Sequence, residues 1–435
     1  MKILVVGSGG REHALCWALR NTCTSSLELF CTPGNAGIAQ IAQCVPLSIN
    51  DHEALVSLAV ESGIDLTMVG PEAPLAAGVV DAFQQRNLRI VGPAQDAARL
   101  ESSKAFAKDF MQRHAIPTAR YRVVASGVEA REVLQRGEFG DPSIPLVIKA
   151  DGLAAGKGVF MAANREAAFS ALNELQRGAT APAAQRIVIE EELQGPEASL
   201  LLFSDGKDFR LMPAARDHKR VGENDTGPNT GGMGSITDTT VMDDSMRGRI
   251  VREIVEPTLN GCRAEGFPFR GILFIGLMLT AAGPYVLEYN VRFGDPETQA
   301  ILVRLKTDLA EIFQAMVEQR LGQLQIDWSP DPSACVVLAA RGYPATTETG
   351  AVIHGLEHAE RHPRTAVFHA ATSRGLHGEW LTAGGRVLGV TATGEDLDLA
   401  LARCYKAVGD INWEGMHYRR DIGRPSGRSL AVDGA

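Results

Sequence analysis

A three-part α/β protein led by a parallel sheet is predicted by three features of the sequence. First, short apolar runs at residues 2–6, 27–31, 66–69 and 89–91 alternate with helical patterns at 12–20, 53–61 and 75–86. That βαβ rhythm makes a parallel sheet with right-handed crossovers. Second, strand patterns from 146 to 290 are spaced as in α+β and antiparallel units, with helices expected near 245–262 and 309–321. Third, the pattern changes after Pro330 to short strands, among them 334–339 and 386–391, before a helix near 397–408. At ~150 residues per domain, a chain of this length fills about three.

Bulk properties narrow the function classes. The 435 residues are 45% hydrophobic and 22% charged, with a net charge of −9. These are globular values. No Lys/Arg stripe is present, so nucleic acid is a poor partner, and phosphate chemistry would rest on local charge and backbone N–H groups. The 45 glycines, many clustered, fit loops where backbone meets a ligand, or simply many turns. Seven cysteines without a C-x-x-C pair fit reduced thiols in the cytosol. The chain opens on a strand pattern rather than a signal peptide. Its most apolar stretch, 271–282, is too short to cross a bilayer. A cytoplasmic protein without a membrane partner is expected.

Five motifs carry the candidate chemistry. GSGGREHA at 7–14 places glycines between a strand and a helix, where N–H groups and the positive helix end can face a phosphate. A plain structural turn remains open there, and the third glycine of a dinucleotide fingerprint is replaced by Glu12. VIKADGLAAGKGVF at 147–160 presents Lys149 on a strand and Lys157 on a glycine loop that includes Gly156. Strand–loop–strand is the wrong context for a Walker A helix and suits a flap over a polyphosphate. IVIEEELQGPEAS at 187–199 is an acidic strand end, either a nucleotide hinge or a solvated edge. DHKRVGENDTGPNTGGMGS at 217–235 is a loop long enough to need a functional reason. In VLEYNVRFGDPETQ at 286–299, alternate strand residues share a face. Glu288 and Asn290 therefore project together, oxygen ligands for a hard cation. Arg292 has the same parity and suits a carboxylate or phosphate; Asp295 and Glu297 follow in the turn.

These motifs together resemble the phosphoribosylamine-glycine ligases, also called glycinamide ribonucleotide synthetases, of the ATP-grasp superfamily. The residues that carry the resemblance are AAGKGV, DHKRVG…DTGPNTGGMG and EYNVRFGDPETQ, supported by GGREHA, PGNAG, GPEAPL, SKAF, GGRVL and RRDIG, from residue 1 to about 424. The resemblance implies a pre-ATP-grasp domain at 1–101 and an ATP-grasp domain at 102–325 with a lid at about 126–193. A β-rich C-terminal domain at 326–425 and a tail at 426–435 complete it. It implies ATP as co-substrate, bound by Lys104, Lys149, Gly156, Lys157, Glu190, Glu191, Leu193 and Glu197. Mg²⁺ or Mn²⁺ falls to Glu288 and Asn290.

On the same resemblance, glycine and 5-phosphoribosylamine are joined through a glycyl phosphate, in a protein expected to be a monomer. Lys149, Lys157, Asp217 and Arg292 take the catalytic roles. Gly9, Gly10, Arg11, Pro71, Glu72, Asp217, Lys219, Arg292, Gly294 and Asp295 face the substrates. Charge logic puts Arg292 on the glycine carboxylate and Asp217 on an amine. Departures from the family pattern are Ser8, Glu192 and Arg216, and Glu192 bears on adenine packing. Another ATP-grasp ligase or carboxylase would share Lys149, Glu288 and Asn290 but not RFGDPETQ with GPNTGGMG. A regulatory nucleotide binder without turnover would not need both metal-type ligands and a flap lysine.

Overall fold

The computed structural model describes residues 1–153, 158–177 and 186–424. At the N-terminus, five strands pair in parallel in the order Gln43–Cys44, Glu28–Pro33, Lys2–Gly7, Leu66–Val69, Ile90–Val91. Ile3 to Val6 are fully buried, as strands covered on both faces by crossover helices must be. The loops after Gly7, Pro33 and Val69 share the carboxyl edge, where open parallel sheets bind ligands. The helix expected over 75–86 is instead two, Glu72–Ala76 and Val79–Gln85. Gly78 between them has φ +88°, a left-handed conformation that ends the first helix and is open to glycine.

Residues 121–191 form a four-stranded antiparallel sheet in the order Tyr121–Val124, Ile187–Glu191, Leu146–Ala150, Val159–Ala162. Helices Gly127–Gln135 and Arg165–Arg177 flank it, and the unit has its own apolar core around Leu134, Ile148, Leu172 and Ile189. Beyond it lies a second antiparallel sheet, ordered Phe209–Leu211, Glu197–Asp205, Arg270–Thr280, Gly283–Asn290. The apolar stretch at 271–282 is thus a strand whose residues 271–277 are buried. The helix expected over 245–262 runs as Asp244–Ile250 and Glu256–Ala264, joined by a π turn at Val251–Val255.

A third large sheet is ordered Arg216–Asp217, Gly234–Thr237, Ser333–Ala339, Arg386–Thr393, Thr365–His369. Its first two strands bracket the glycine-rich 217–235 motif, so this sheet crosses the expected boundary at 325. That boundary divides the sequence but not the hydrogen-bonded layer. Within the motif, Arg220–Gly222 and Thr226–Asn229 pair as a hairpin. Arg419, 1% exposed, clamps it by donating to the Arg220 carbonyl and the Asp225 carboxylate while its other edge holds Asp421. The RRDIG segment is therefore a brace for the motif. Two apolar clusters each contain residues of the N-terminal, central and C-terminal sheets, which fixes these three parts together; the 121–191 unit packs around a separate core.

Asn35 of PGNAG stitches the N- and C-terminal parts. Its Nδ2 donates to the Ser8 carbonyl at 2.7 Å and the His369 carbonyl at 2.9 Å, while its Oδ1 accepts from the Gly37 and Ile38 N–H groups. Asn35→Ala leaves these groups without their partner. It is expected to lower the unfolding free energy by about 1–3 kcal/mol, read as a lower urea midpoint at unchanged slope. An unchanged midpoint would show that the stitch carries no stability.

Candidate active site

The strand Gly283–Asn290 meets its neighbour with a register shift: Leu277 faces Val286, but Gly276 faces Glu288. Leu287 is the extra residue, and such a bulge re-aims the side chains beyond it. Val286 and Tyr289 are buried while Glu288 and Asn290 stay partly open. The two oxygen ligands share a face as expected, but Val286, of the same parity, turns into the core. Burial opposes the Glu288 charge, and Lys219, Lys149 and Lys104 outweigh it, holding the carboxyl below its ordinary range. Asn290 Oδ1 accepts from Arg292 at 3.2 Å.

Beneath Glu288 lies a buried ion cluster. Glu190 is 1% exposed and places one oxygen 2.8 Å from Lys149 Nζ and the other 2.8 Å from Lys108 Nζ. Burial works against its charge, and the two lysines pull its carboxyl below the ordinary value. Lys149 also donates to the Leu287 carbonyl at 3.2 Å. Lys104 donates to the Gly152 carbonyl at 2.9 Å; burial lowers its pKa, with Glu288 opposing. Asp151 accepts from Ser103 and the Ala105 N–H and pairs with Arg186, tying the base of the glycine flap to the helix Lys104–Arg113. The flap residues Gly156 and Lys157 lie outside the described residues.

On the N-terminal side, the guanidinium of Arg292 is held by Glu72 at 3.0 Å, Glu101 at 2.9 Å, Asn290 and the Phe293 carbonyl. Burial pushes the Glu101 carboxyl up in spite of Arg292; at Glu72 burial loses to Arg292 and Arg11, and the carboxyl is lowered. Pro71 caps the helix Glu72–Ala76. In the glycine loop the Gly9 N–H is given to the Glu12 carboxylate at 2.6 Å, not left for a phosphate. Glu12 also holds Arg11, whose other edge donates to the Phe293 carbonyl. A Cβ at Gly70 would fall 2.0 Å from Glu12, and one at Gly10 2.7 Å from Gln299. A side chain at either position would have to displace the Glu12 or Gln299 side chain. The first-turn N–H groups of Gly10 and Arg11 still point out of the helix start.

The third wall joins Asp217 and Lys219 to the turn after Asn290. Lys219 pairs with Glu197 at 2.8 Å, whose charge pushes the lysine up. Asp217 is half-buried, and its Oδ1 is enclosed and without a hydrogen-bond partner among the described residues. Burial first, then the charge of Glu297, push its carboxyl well above the usual range against Lys219 and Arg386. Burial likewise raises Glu297. Asp295 accepts from Gln299 at 2.8 Å and pairs with Arg386 at 3.3 Å, so the GGRVL segment brings a C-terminal cation to the site. A Cβ on Gly294 would fall 2.5 Å from Glu297 Oε2. Glu191 turns away, accepting from the Arg120 N–H, and Leu193 sits in the link between Glu191 and Glu197.

Sequence reading did not single out Lys108, Glu101, Glu12 or Arg386 for the site. Lys108 is four residues after Lys104 on one helix, hence on the same face, a signal that was available. Glu101 and Arg386 acquire meaning only from partners about 190 and 91 residues away.

Comparison with known proteins bears on all three walls. Models of the phosphoribosylglycinamide synthetase N domain, ATP-grasp (A) domain and C domain match residues 1–101, 102–298 and 333–425. A phosphoribosylamine–glycine ligase of Brucella melitensis is 45% identical over 424 residues, 97% of each chain. One from Xanthomonas axonopodis pv. citri is 47% identical over 428 residues, again 97% of each. The crystal structure of phosphoribosylamine–glycine ligase from Thermotoga maritima matches with TM-score 0.81 at 34% identity, covering 97% of this chain and 100% of that one. A biotin carboxylase from Campylobacter jejuni shares the fold, with TM-score 0.69 at 16% identity over 96% of this chain and 92% of that one.

Two histidines that brace the site give a pH signature. His218 sits beside Asp217; its Nε2 accepts from the Gly423 N–H. Burial, then Arg419, lower it from 6.5 to about 4. His13 Nδ1 accepts from the His369 N–H, and burial, then His369, lower it to about 3. Both are neutral in the folded chain, while the unfolded chain takes up protons below about 6.5. The unfolded state then binds more protons, so each histidine removes stability as pH falls from 6.5 toward its folded value, by at most about 1.4 kcal/mol per unit. His218→Gln should therefore lose less stability than the parent between pH 7 and 5 in urea titrations. Parallel curves would show that His218 is not neutral in the fold.

Proposed function

The chain belongs to the phosphoribosylglycinamide synthetase family, and from that membership we propose how its junction joins glycine to 5-phosphoribosylamine in purine biosynthesis at the expense of ATP. A resonance-stabilised carboxylate resists attack by an amine at neutral pH. A glycine oxygen therefore attacks the γ-phosphorus and ADP leaves. The amine of phosphoribosylamine then adds to the glycyl carbonyl, gives up a proton, and expels phosphate with that glycine oxygen. The observation that carries this reading is the convergence of three cations on Glu288, Lys149 held 2.8 Å from the buried Glu190, Lys219 held 2.8 Å from Glu197, and Lys104 on the Gly152 carbonyl.

Catalysis of this kind is positioning and charge stabilisation. Lys104 and Lys149 face the ATP phosphates, Lys157 and Gly156 serve on the flap, and Leu193, Glu197 and the backbone of Glu191, whose side chain turns to the Arg120 N–H, line the nucleotide hinge. Glu190 acts beneath them by holding Lys149. Glu288 and Asn290 would hold a Mg²⁺ or Mn²⁺, which would offset phosphate charge: a carboxylate and an amide oxygen on one face are hard donors. Arg292 reaches the glycine carboxylate only with the Nη1 N–H left over from its protein partners, so its larger part is to hold Glu72 and Asn290. Asp217, Lys219, Gly294 and Asp295 line the glycine and amine side. Gly9, Gly10, Arg11, Pro71 and Glu72 line the phosphoribosylamine side, where Glu12 rather than a phosphate occupies the Gly9 N–H.

The test is phosphate release from ATP, which should require glycine and phosphoribosylamine together. Release with bicarbonate in place of glycine would point to carboxylase chemistry. In the same assay Glu288→Gln, which keeps shape and removes charge, should lower turnover by about 10²-fold or more with an unchanged unfolding midpoint. Near-normal turnover at ordinary Mg²⁺ would overturn the metal assignment.

A further inference from the structure

We propose that Lys108, which the chemistry above does not use, is a positioning residue that occupies Glu190 so that Lys149 keeps its positive charge for the ATP phosphates; this rests on the reading of Lys149 as an ATP ligand. The geometry is specific. Lys108 is 2% exposed, so it is enclosed by protein. Its Nζ lies 2.8 Å from Glu190 Oε2 and donates to Thr118 Oγ1 at 2.7 Å. Thr118 Oγ1 in turn donates to the Val286 carbonyl at 2.7 Å, and Lys149 donates to the next carbonyl, Leu287. The two lysines thus take opposite oxygens of one carboxylate and, directly or through Thr118, consecutive carbonyls of the bulge that aims Glu288.

The charge balance explains why a second lysine is needed. With Lys108, the cluster of two lysines and one carboxylate carries one net positive charge. Without it, Lys149 and Glu190 form a neutral buried pair beside the anionic Glu288, and this cluster no longer adds to the pull of Lys104 and Lys219 on phosphate. Buried ions left with half their partners are costly, so the lone carboxylate would also draw Lys149 away from the Leu287 carbonyl. The groups facing Lys108 are Glu190 and Lys149 from the lid sheet, Glu288 from the central sheet and the Tyr121 ring at 5.8 Å. Burial lowers the Lys108 pKa most, Glu190 opposes, and the outcome is about 8. Its charge therefore fades as pH rises through 8, and ATP affinity should fade with it.

The experiment measures MgATP dissociation constants by calorimetry, with unfolding midpoints in parallel, for the parent, Lys108→Met, Lys149→Met and Lys108→Met/Glu190→Gln. Lys108→Met should weaken ATP at least tenfold. The double variant removes the orphaned anion and should recover most of that loss, with ATP affinity flat from pH 7 to 9 where the parent declines. If Lys108→Met does not fold, the double variant decides alone: near-parental affinity supports the proposal, and affinity as weak as that of Lys149→Met overturns it. Lys108→Met binding within twofold of the parent while Lys149→Met binds poorly overturns the role of Lys108 and leaves the ATP reading intact. Parental binding by Lys149→Met overturns the ATP reading itself, and the proposal with it.

Discussion

Glu190 holds one lysine on each carboxylate oxygen, and the rest of the site is arranged around that buried contact. A carboxylate 1% exposed is tolerable only if its charge is met. Meeting it with Lys108 and Lys149 joins three elements that are distant in sequence. The helix Lys104–Arg113 supplies Lys108, the lid sheet supplies Glu190 and Lys149, and the carbonyls of the bulged strand are reached by Lys149 directly and by Lys108 through Thr118. The bulge then decides that Glu288 and Asn290 face outward. Cation placement and ligand placement are thus consequences of one electrostatic requirement.

The same requirement recurs on the other walls with different residues. Arg292 is compensated by Glu72 and Glu101, which binds the N-terminal sheet to the turn after the bulged strand. Arg386 is compensated by Asp295, which binds the C-terminal sheet to that turn. Fourteen residues of one motif, 286–299, therefore touch all three parts of the molecule. Asp217 and Glu297 are the exception: burial raises both carboxyls, and Glu297 adds to the rise at Asp217 as Asp295 does at Glu297.

Much of this was legible in the sequence, for identifiable reasons. The parallel sheet announced itself because βαβ units repeat a period that buried strands cannot hide. That Glu288 and Asn290 share a face was legible because strand alternation is local. The same alternation does not foresee that Val286 turns into the core, since a bulge depends on the neighbouring strand. Gly9 and Gly10 were read as a phosphate loop from local pattern, whereas Gly9 already gives its N–H to Glu12 and Gly10 packs on Gln299. Lys108, Glu101 and Arg386 stayed silent because their partners lie far along the chain. Lys104, Lys149 and Asp217 were legible from motif context, but the burial that raises Asp217 is a property of the folded sheet.

The proposed order, in which ATP activates the glycine carboxylate at this junction before the amine arrives, is open to a direct test. Its most direct test is a heavy-oxygen label in both carboxylate oxygens of glycine, followed by mass analysis of the phosphate released during ligation. Formation of a glycyl phosphate predicts one glycine-derived oxygen in each phosphate and one retained in the amide product. Phosphate free of label, with product formed at the normal rate, would contradict the mechanism derived from the site.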